Sequence, residues 1–234
     1  WSKVGLSGEV KEGFSYRDHS LMDFVSDAIS RQSAVTMLDE HFRSKPELIA
    51  FSNQHFYGNR LKIMQARPGL QNECALSFVK IAGKRTASGR NSAEKNAVIK
   101  ALEQHISEYD GVQIKPSIGV LSPYREQAEF LEKSINKNFS AQQRMDFNIR
   151  ASTPFGFQGE ERDVMLLSFA IDNEASRAAG YLNREDMFNV AVTRAKQQQV
   201  IFYSIDADNL SAGNLFKNYL SYSHIGNHDG IEMD

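Results

Sequence analysis

Asp39, Glu40 and His41 stand together after the apolar run 34–38. Those residue types in that order imitate the carboxylate and neighbouring base that hold Mg²⁺ and assist phosphoryl transfer. Such chemistry also needs a loop to cradle the phosphates, with a glycine five residues ahead of Gly-Lys-Ser/Thr. Gly83-Lys84 is the only Gly-Lys pair in the chain, Arg85 follows it, and Phe78 stands five residues ahead of Gly83. The chain therefore contains no such loop. No GxGxxG follows a strand either, which removes the dinucleotide-binding oxidoreductases. The acidic pair then reads as a helix start, where carboxylates meet a positive dipole end. His19, His41, His55, His105, His224 and His228 lack metal-ligand spacing, and Cys74 is the only cysteine. No internal disulfide, bound zinc or other metal is expected, and no Ser-His-Asp set has motif support.

Four other blocks carry groups with chemical potential. Phe42-Arg43 is followed by Pro46 and ends in Phe56-Tyr57 and Leu61. Ser122-Pro123-Tyr124-Arg125 leaves the end of the apolar run 117–121, the place where open α/β sheets bind ligands. Ser152-Thr153 closes another strand, and Phe157-Gln158-Gly159-Glu160-Glu161 follows, then Arg162-Asp163 and the apolar run VMLLSFA at 164–170. A turn ahead of a core strand explains the glycine and the apolar residues, but not Gln, Glu and Arg in that order. The last block is FNVAVTRAK at 188–196. On a helix, Asn189, Thr193 and Lys196 share one stripe, Arg194 lies on another, and Val190, Ala191 and Ala195 pack on a sheet. Arg177 and Arg184 read as solvent-facing or salt-bridged.

Composition sets limits on these groups. In 234 residues, 41% are hydrophobic and 24% charged, enough for a substantial core. The net charge is −2, from 27 Lys+Arg against 29 Asp+Glu. A free-standing nucleic-acid-binding module would carry a basic excess, so any such contact is local. No apolar run is long enough to span a membrane, and the first residues do not resemble a signal peptide. A cytoplasmic protein is expected.

The elements that must position these groups follow from periodicity. Helices are expected over 20–31, from Pro46, and over 92–109, 123–136, 184–196 and 209–222. Strands are expected over 34–38, 76–82, 117–121, 147–151, 164–170 and 200–205. Alternation at this spacing argues for an α/β fold, a parallel sheet with helices on both faces. Residues 1–36 are expected to be a connector and leading helix, 37–222 the domain, and 223–234 a loose tail.

In order and near-spacing, the four blocks resemble the second motor domain of superfamily 1 helicases, in the class that includes RNA helicases of nonsense-mediated decay and bacterial relatives. The resemblance runs from about residue 38 to 205. It implies a RecA-like domain without its own phosphate loop. The ATP site, with Mg²⁺, would be shared with an N-terminal RecA-like domain of the same polypeptide, and residues 1–19 would be the connector left by truncation. By the same resemblance Phe42 flanks the adenine; Phe in place of the commoner Tyr keeps the stacking face and loses the hydroxyl. Arg43 and Arg194 reach the γ-phosphate, Arg194 as arginine finger. Glu161 contacts the ribose or the phosphate-side network, and Gln158 relays between nucleotide and track. Ser122, Pro123, Ser152 and Thr153 line the path of a single-stranded DNA or RNA backbone. One departure stands out: the family usually has an acidic residue where Phe155 stands and an aliphatic one where Pro154 stands. A monomer is expected. Two other classes compete with this reading. A catalytically silent helicase-derived interaction or nucleic-acid-binding module is disfavoured by intact Arg43, Glu161 and Arg194. A self-contained Rossmann-like enzyme is disfavoured by the missing glycine-rich loop.

Overall fold

The computed structural model describes Leu21, Val25 and residues 36–65 and 74–222. The chain divides into two compact units, Trp1–Asp39 and Glu40–Asp234. Of the first, Leu21 and Val25 are helical, and the rest of the helix expected over 20–31 lies outside the described residues. So do residues 1–19 and the tail 223–234. Residues 36–38 are not a strand. Leu38 is 89% exposed, so the described end of the run packs on no sheet; residues 34–35 lie outside the described residues.

In the second unit, β1 (Glu40–His41) pairs in parallel with β2 (Lys62–Ile63) around α1 (Pro46–Phe56). Pro46 opens α1, where its missing N–H costs nothing. The main sheet follows: β3 (Leu76–Lys80), α2 (Ser92–Glu108), β4 (Ile118–Leu121), α3 (Arg125–Asn138), α4 (Ala141–Asp146), β5 (Arg150–Ser152), β6 (Arg162–Asp172), α5 (Glu185–Val192), β7 (Ala195–Ser204) and α6 (Leu215–Leu220). Its strand order is β3-β7-β6-β4-β5, and every pairing is parallel. The expected architecture is therefore present.

β6 explains why. A central parallel strand must be apolar on both faces, and 164–170 is. Met165, Leu167, Phe169 and Ile171 join a core with Leu48 and Phe51 of α1, Phe188 and Val192 of α5, and Phe216 and Tyr219 of α6. Val164 and Leu166 join a second core with Val98 and Leu102 of α2 and Leu131 and Ile135 of α3. Full burial of each such side chain contributes about 1.5–3 kcal/mol.

Several expected boundaries move. The strand expected over 147–151 is β5, at Arg150–Ser152. Phe147 instead ends α4, whose start is held by a reciprocal capping box between Ser140 and Gln143. Asn148, at φ 44°, then turns the chain. The helix expected over 184–196 stops at Val192. Thr193 Oγ1 donates to the Asn189 carbonyl and Arg194 Nε to the Val190 carbonyl, closing the last turn so that β7 can begin at Ala195. Thr193, Arg194 and Lys196 therefore lie on no helical stripe. β7 starts five residues earlier than its apolar run because backbone pairing with β3 and β6 holds the polar stretch 196–199; buried Gln199 donates to the Tyr219 hydroxyl at 2.7 Å. The last helix shrinks to α6 because Gly213, at φ 81°, interrupts it and Asn214 caps a new start. Among the described residues no helix is long and apolar enough to cross a membrane.

Beneath the second core face lies a polar knot that periodicity does not reveal. Glu94, fully buried in α2, accepts from Ser168 Oγ at 2.7 Å, Ala170 N at 2.7 Å, Ser204 Oγ at 2.8 Å and Asn91 Nδ2 at 3.1 Å. Burial pushes its carboxyl up to about 7, against the pull of these donors. The unfolded chain releases this proton near the ordinary 4.5 and the folded chain retains it, so stability from this group is full below that value and is lost as pH rises through about 7. The thermal midpoint should fall over that window, and Glu94→Gln should remove most of the group's pH slope while lowering the midpoint overall. A variant with the wild-type slope would reassign it.

Candidate functional site

A parallel sheet has two unlike edges, and the sequence blocks divide between them. At the N-terminal edge β6 and β7 begin side by side, with Arg162 N donating to the Arg194 carbonyl at 3.0 Å. Residues 43–45 run alongside: Arg43 Nη1 donates to the Thr193 carbonyl at 3.3 Å, Ser44 Oγ to the Ala195 carbonyl at 2.6 Å, and Lys45 N to the Lys196 carbonyl at 3.1 Å. Arg43 Nε meets Glu161 Oε2 at 2.6 Å. Three blocks distant in sequence thus place Arg43, Glu161 and Arg194 in one neighbourhood.

Arg194 is held by its own protein. Nε donates to the Val190 carbonyl at 2.9 Å, Nη1 to the Glu160 carbonyl at 3.3 Å and Nη2 to Thr193 Oγ1 at 3.2 Å. A guanidinium carries five N–H donors, so some remain for a ligand. Burial first, and then repulsion by Arg43, pull its pKa below the ordinary value, while Tyr57 and Glu161 oppose the shift. Two guanidiniums facing a single carboxylate make an edge suited to an anion. His41 also titrates low, through burial and Arg43 against an opposing Glu161. Its Nε2 accepts from Ser44 N at 3.1 Å, so at neutral pH it is an uncharged support for the turn.

Phe42, between them in sequence, is 60% exposed, with its carbonyl bound by Gln65 Nε2 at 2.6 Å. Its ring is free to lie against a flat ligand. Tyr57, which the Phe56-Tyr57 pattern does not mark as a site residue, also lies near Arg194. Its hydroxyl accepts from Asn189 Nδ2 at 3.1 Å, tying α5 to the end of α1.

At the C-terminal edge Ser122 N donates to the Ser152 carbonyl at 3.2 Å, so the turns after β4 and β5 lie together. Ser152 and Thr153 are partly exposed. Ser122 and Pro123 are buried, and the Ser122 hydroxyl accepts from Tyr124 N at 3.3 Å. In this structure Ser122 shapes the turn from inside, and its hydroxyl faces the turn rather than the strand path that the resemblance implies for it.

Residues 153–161 connect the edges, leaving the C-terminal end of β5 and entering the N-terminal end of β6. Phe157, fully buried, anchors this crossing, with the guanidinium carbons of Arg150 and Arg162 at 5.6 and 5.7 Å from its ring centroid. Glu160 pairs with both arginines, with Arg162 Nη2 at 2.9 Å. These bonds, led by that from Arg150, hold its carboxyl below the usual range. Gln158 and Gly159 stand exposed on the outside, Gly159 at φ 80°, a left-handed turn that glycine adopts without strain. Among the described residues no group of three or more His, Cys, Asp or Glu is placed to hold a metal.

Comparison with known families matches residues 17–205 to an AAA domain. The chain belongs to this family. Among its relatives are proteins named as helicases: it is 30% identical over 185 residues to Helicase SEN1 of Saccharomyces cerevisiae, covering 72% of this chain and 8% of that protein. It is 28% identical over 239 residues to an uncharacterized ATP-dependent helicase, the MG140 homolog of Mycoplasma pneumoniae, covering 92% of this chain and 20% of that one. To the Regulator of nonsense transcripts 1 homolog of Drosophila melanogaster it is 28% identical over 170 residues, covering 68% and 14% respectively. The chain thus spans a fifth or less of the length of these relatives.

Removing the anchor should matter more than removing the ion pair. Phe157→Ala should cost about 3–5 kcal/mol, whereas Arg43→Ala, which loses a half-exposed ion pair and one bond to the Thr193 carbonyl, should cost about 1–2 kcal/mol. Urea unfolding midpoints of the two variants measure the contrast; equal shifts would remove Phe157 from the anchor role.

Proposed function

We propose that this chain is the second RecA-like motor domain of an ATP-dependent helicase or translocase that moves on single-stranded DNA or RNA. In this reading residues 1–36 are the junction, 37–222 the motor domain and 223–234 a tail, and the protein works as a cytoplasmic monomer. The single observation that carries it is the convergence of Arg43, Glu161 and Arg194 at one sheet edge. Burial and then the neighbouring Arg43 lower the Arg194 pKa, and a polyphosphate there would offset both by placing negative charge beside the two guanidiniums. The arrangement fits ATP as substrate, with Arg43 and Arg194 at its terminal phosphate, Phe42 against its base and Glu161 holding Arg43 in place. The phosphate loop and Mg²⁺ ligands would come from an N-terminal RecA-like domain of the same polypeptide, since this sequence has no such loop. Mg²⁺ would screen the phosphate charge; this chain's part is the guanidinium field.

Coupling to the track would pass through residues 153–161. Ser152 and Thr153 at one end would hold a backbone phosphate, with the turn shaped by Ser122 and Pro123 beside them. Arg194 touches the other end through the Glu160 carbonyl. Gln158, exposed between them, would meet the closing domain and report its position.

Two outcomes test this. The 234-residue chain by itself should show no ATP turnover, and appreciable turnover by pure protein would overturn the shared-site reading. In the full-length polypeptide, Arg194→Ala should lower hydrolysis on the order of 10³- to 10⁵-fold and leave ATP binding largely intact, measured by turnover and nucleotide titration. Wild-type turnover in that variant would remove Arg194 from the finger role.

A further inference from the structure

Phe155 is 52% exposed on the turn that follows Thr153. It stands where helicases of the resembling class usually carry an acidic residue. A solvated aromatic at the mouth of a phosphate-holding turn is unlike the carboxylate it replaces, and its surroundings give it a context. The Arg184 guanidinium carbon lies 5.7 Å from the Phe155 ring centroid and 5.8 Å from that of Tyr181. Tyr181 lies 5.8 Å from Tyr124, centroid to centroid, and the Arg85 guanidinium lies 4.2 Å over Tyr124. Phe155, Arg184, Tyr181, Tyr124 and Arg85 thus form one continuous row of π faces and guanidinium planes drawn from four separate segments.

Two members of the row, its exposed end Phe155 and the inner Tyr124, grow from the turns already described. Tyr124 follows Ser122-Pro123, and Phe155 follows Ser152-Thr153. The inner part is rigid: the Tyr124 hydroxyl donates to the Ala178 carbonyl at 2.6 Å, and Arg85 Nη1 donates to the Ala170 carbonyl at 2.7 Å. Arg184 is steadied by Asp186 at 2.8 Å. Tyr124 and Tyr181 are packed against the core, so with the Arg184 charge paired the row presents a flat face to solvent at Phe155. Flat faces next to phosphate-holding hydroxyls and amides are how proteins bind single strands without reading their sequence, by stacking successive bases.

We infer that Phe155 is a base-stacking residue, the exposed end of an aromatic–guanidinium row on which unpaired bases of a single strand lie while Ser152 and Thr153 hold the backbone. This inference rests on the motor reading above and extends it from backbone contact to base contact. The ligand chemistry is an unpaired nucleobase, common to DNA and RNA.

The test uses the full-length polypeptide and fluorescence anisotropy with oligothymidylate and oligouridylate, each against an abasic strand of equal length. Wild type should bind the base-bearing strands more tightly than the abasic ones. Phe155→Ala should lose on the order of 5- to 100-fold on base-bearing strands and little on abasic strands, and Phe155→Trp should restore the difference. A loss on only one of the two polymers would still support stacking and assign the track. Equal losses on base-bearing and abasic strands would overturn it in favour of a backbone or folding role. Unchanged affinities would overturn it in favour of a protein contact. Strand-stimulated ATP hydrolysis by wild type separates the two levels: if stimulation is present while stacking fails, the motor reading stands alone; if wild type shows neither strand binding nor stimulation, both fall.

Discussion

The N-terminal edge of the sheet depends on one short alignment, residues 43–45 against 193–196. Three hydrogen bonds, from the Arg43 guanidinium, the Ser44 hydroxyl and the Lys45 amide, fasten the two segments. Without them Arg43 would be a solvated side chain on a loop, and Arg194 a capping group for α5. Together they hold two like charges closer than solution would favour, with Glu161 as the only counter-charge in the trio. The alignment is made almost wholly to backbone carbonyls, whose positions are fixed by the start of β7. Sheet register therefore sets charge geometry.

The opposite edge is governed by turns rather than by charge. The buried Ser122 hydroxyl stiffens the turn after β4, and Ser152 crowds Gly156, where a Cβ would come within 1.9 Å of the Ser152 hydroxyl. No side chain fits at that glycine without displacing the serine. This tight passage lets the chain leave β5 and head back along the sheet within a few residues. The two arginines around Phe157, joined by Glu160, then fix the course of the return.

The fold was legible because β6 announces itself: an apolar run broken only by Ser168 has few homes other than the centre of a parallel sheet. The helix pattern of Ser92 to Glu108 and the proline opening α1 were equally plain. The end of α5 was not, because Thr193 and Arg194 are good helix residues by pattern, and only their side-chain bonds back to Asn189 and Val190 show that they close the helix. Arg43, Glu161 and Arg194 could be named from their blocks, since each block keeps its order along the chain. The Glu94 knot and the row from Phe155 to Arg85 could not, because each assembles from segments whose proximity exists only after the sheet forms. Arg184 illustrates the limit: in sequence it is one more charged residue ahead of a helix, and in space it joins two aromatic rings.

The continuous burial of β6 has a mechanical meaning. Between Val164 and Leu167 the strand is packed between two cores and paired on both sides, so it resists bending there. Its register with β7 shifts between Arg162 and Val164 and again between Ser168 and Asp172, where Ala170 sits at φ 50°. Residues 153–161 lie outside that body yet are clamped to it at Phe157 and Glu160, so a displacement of either edge is passed to the other through those two clamps, past the exposed Phe155 and Gln158-Gly159.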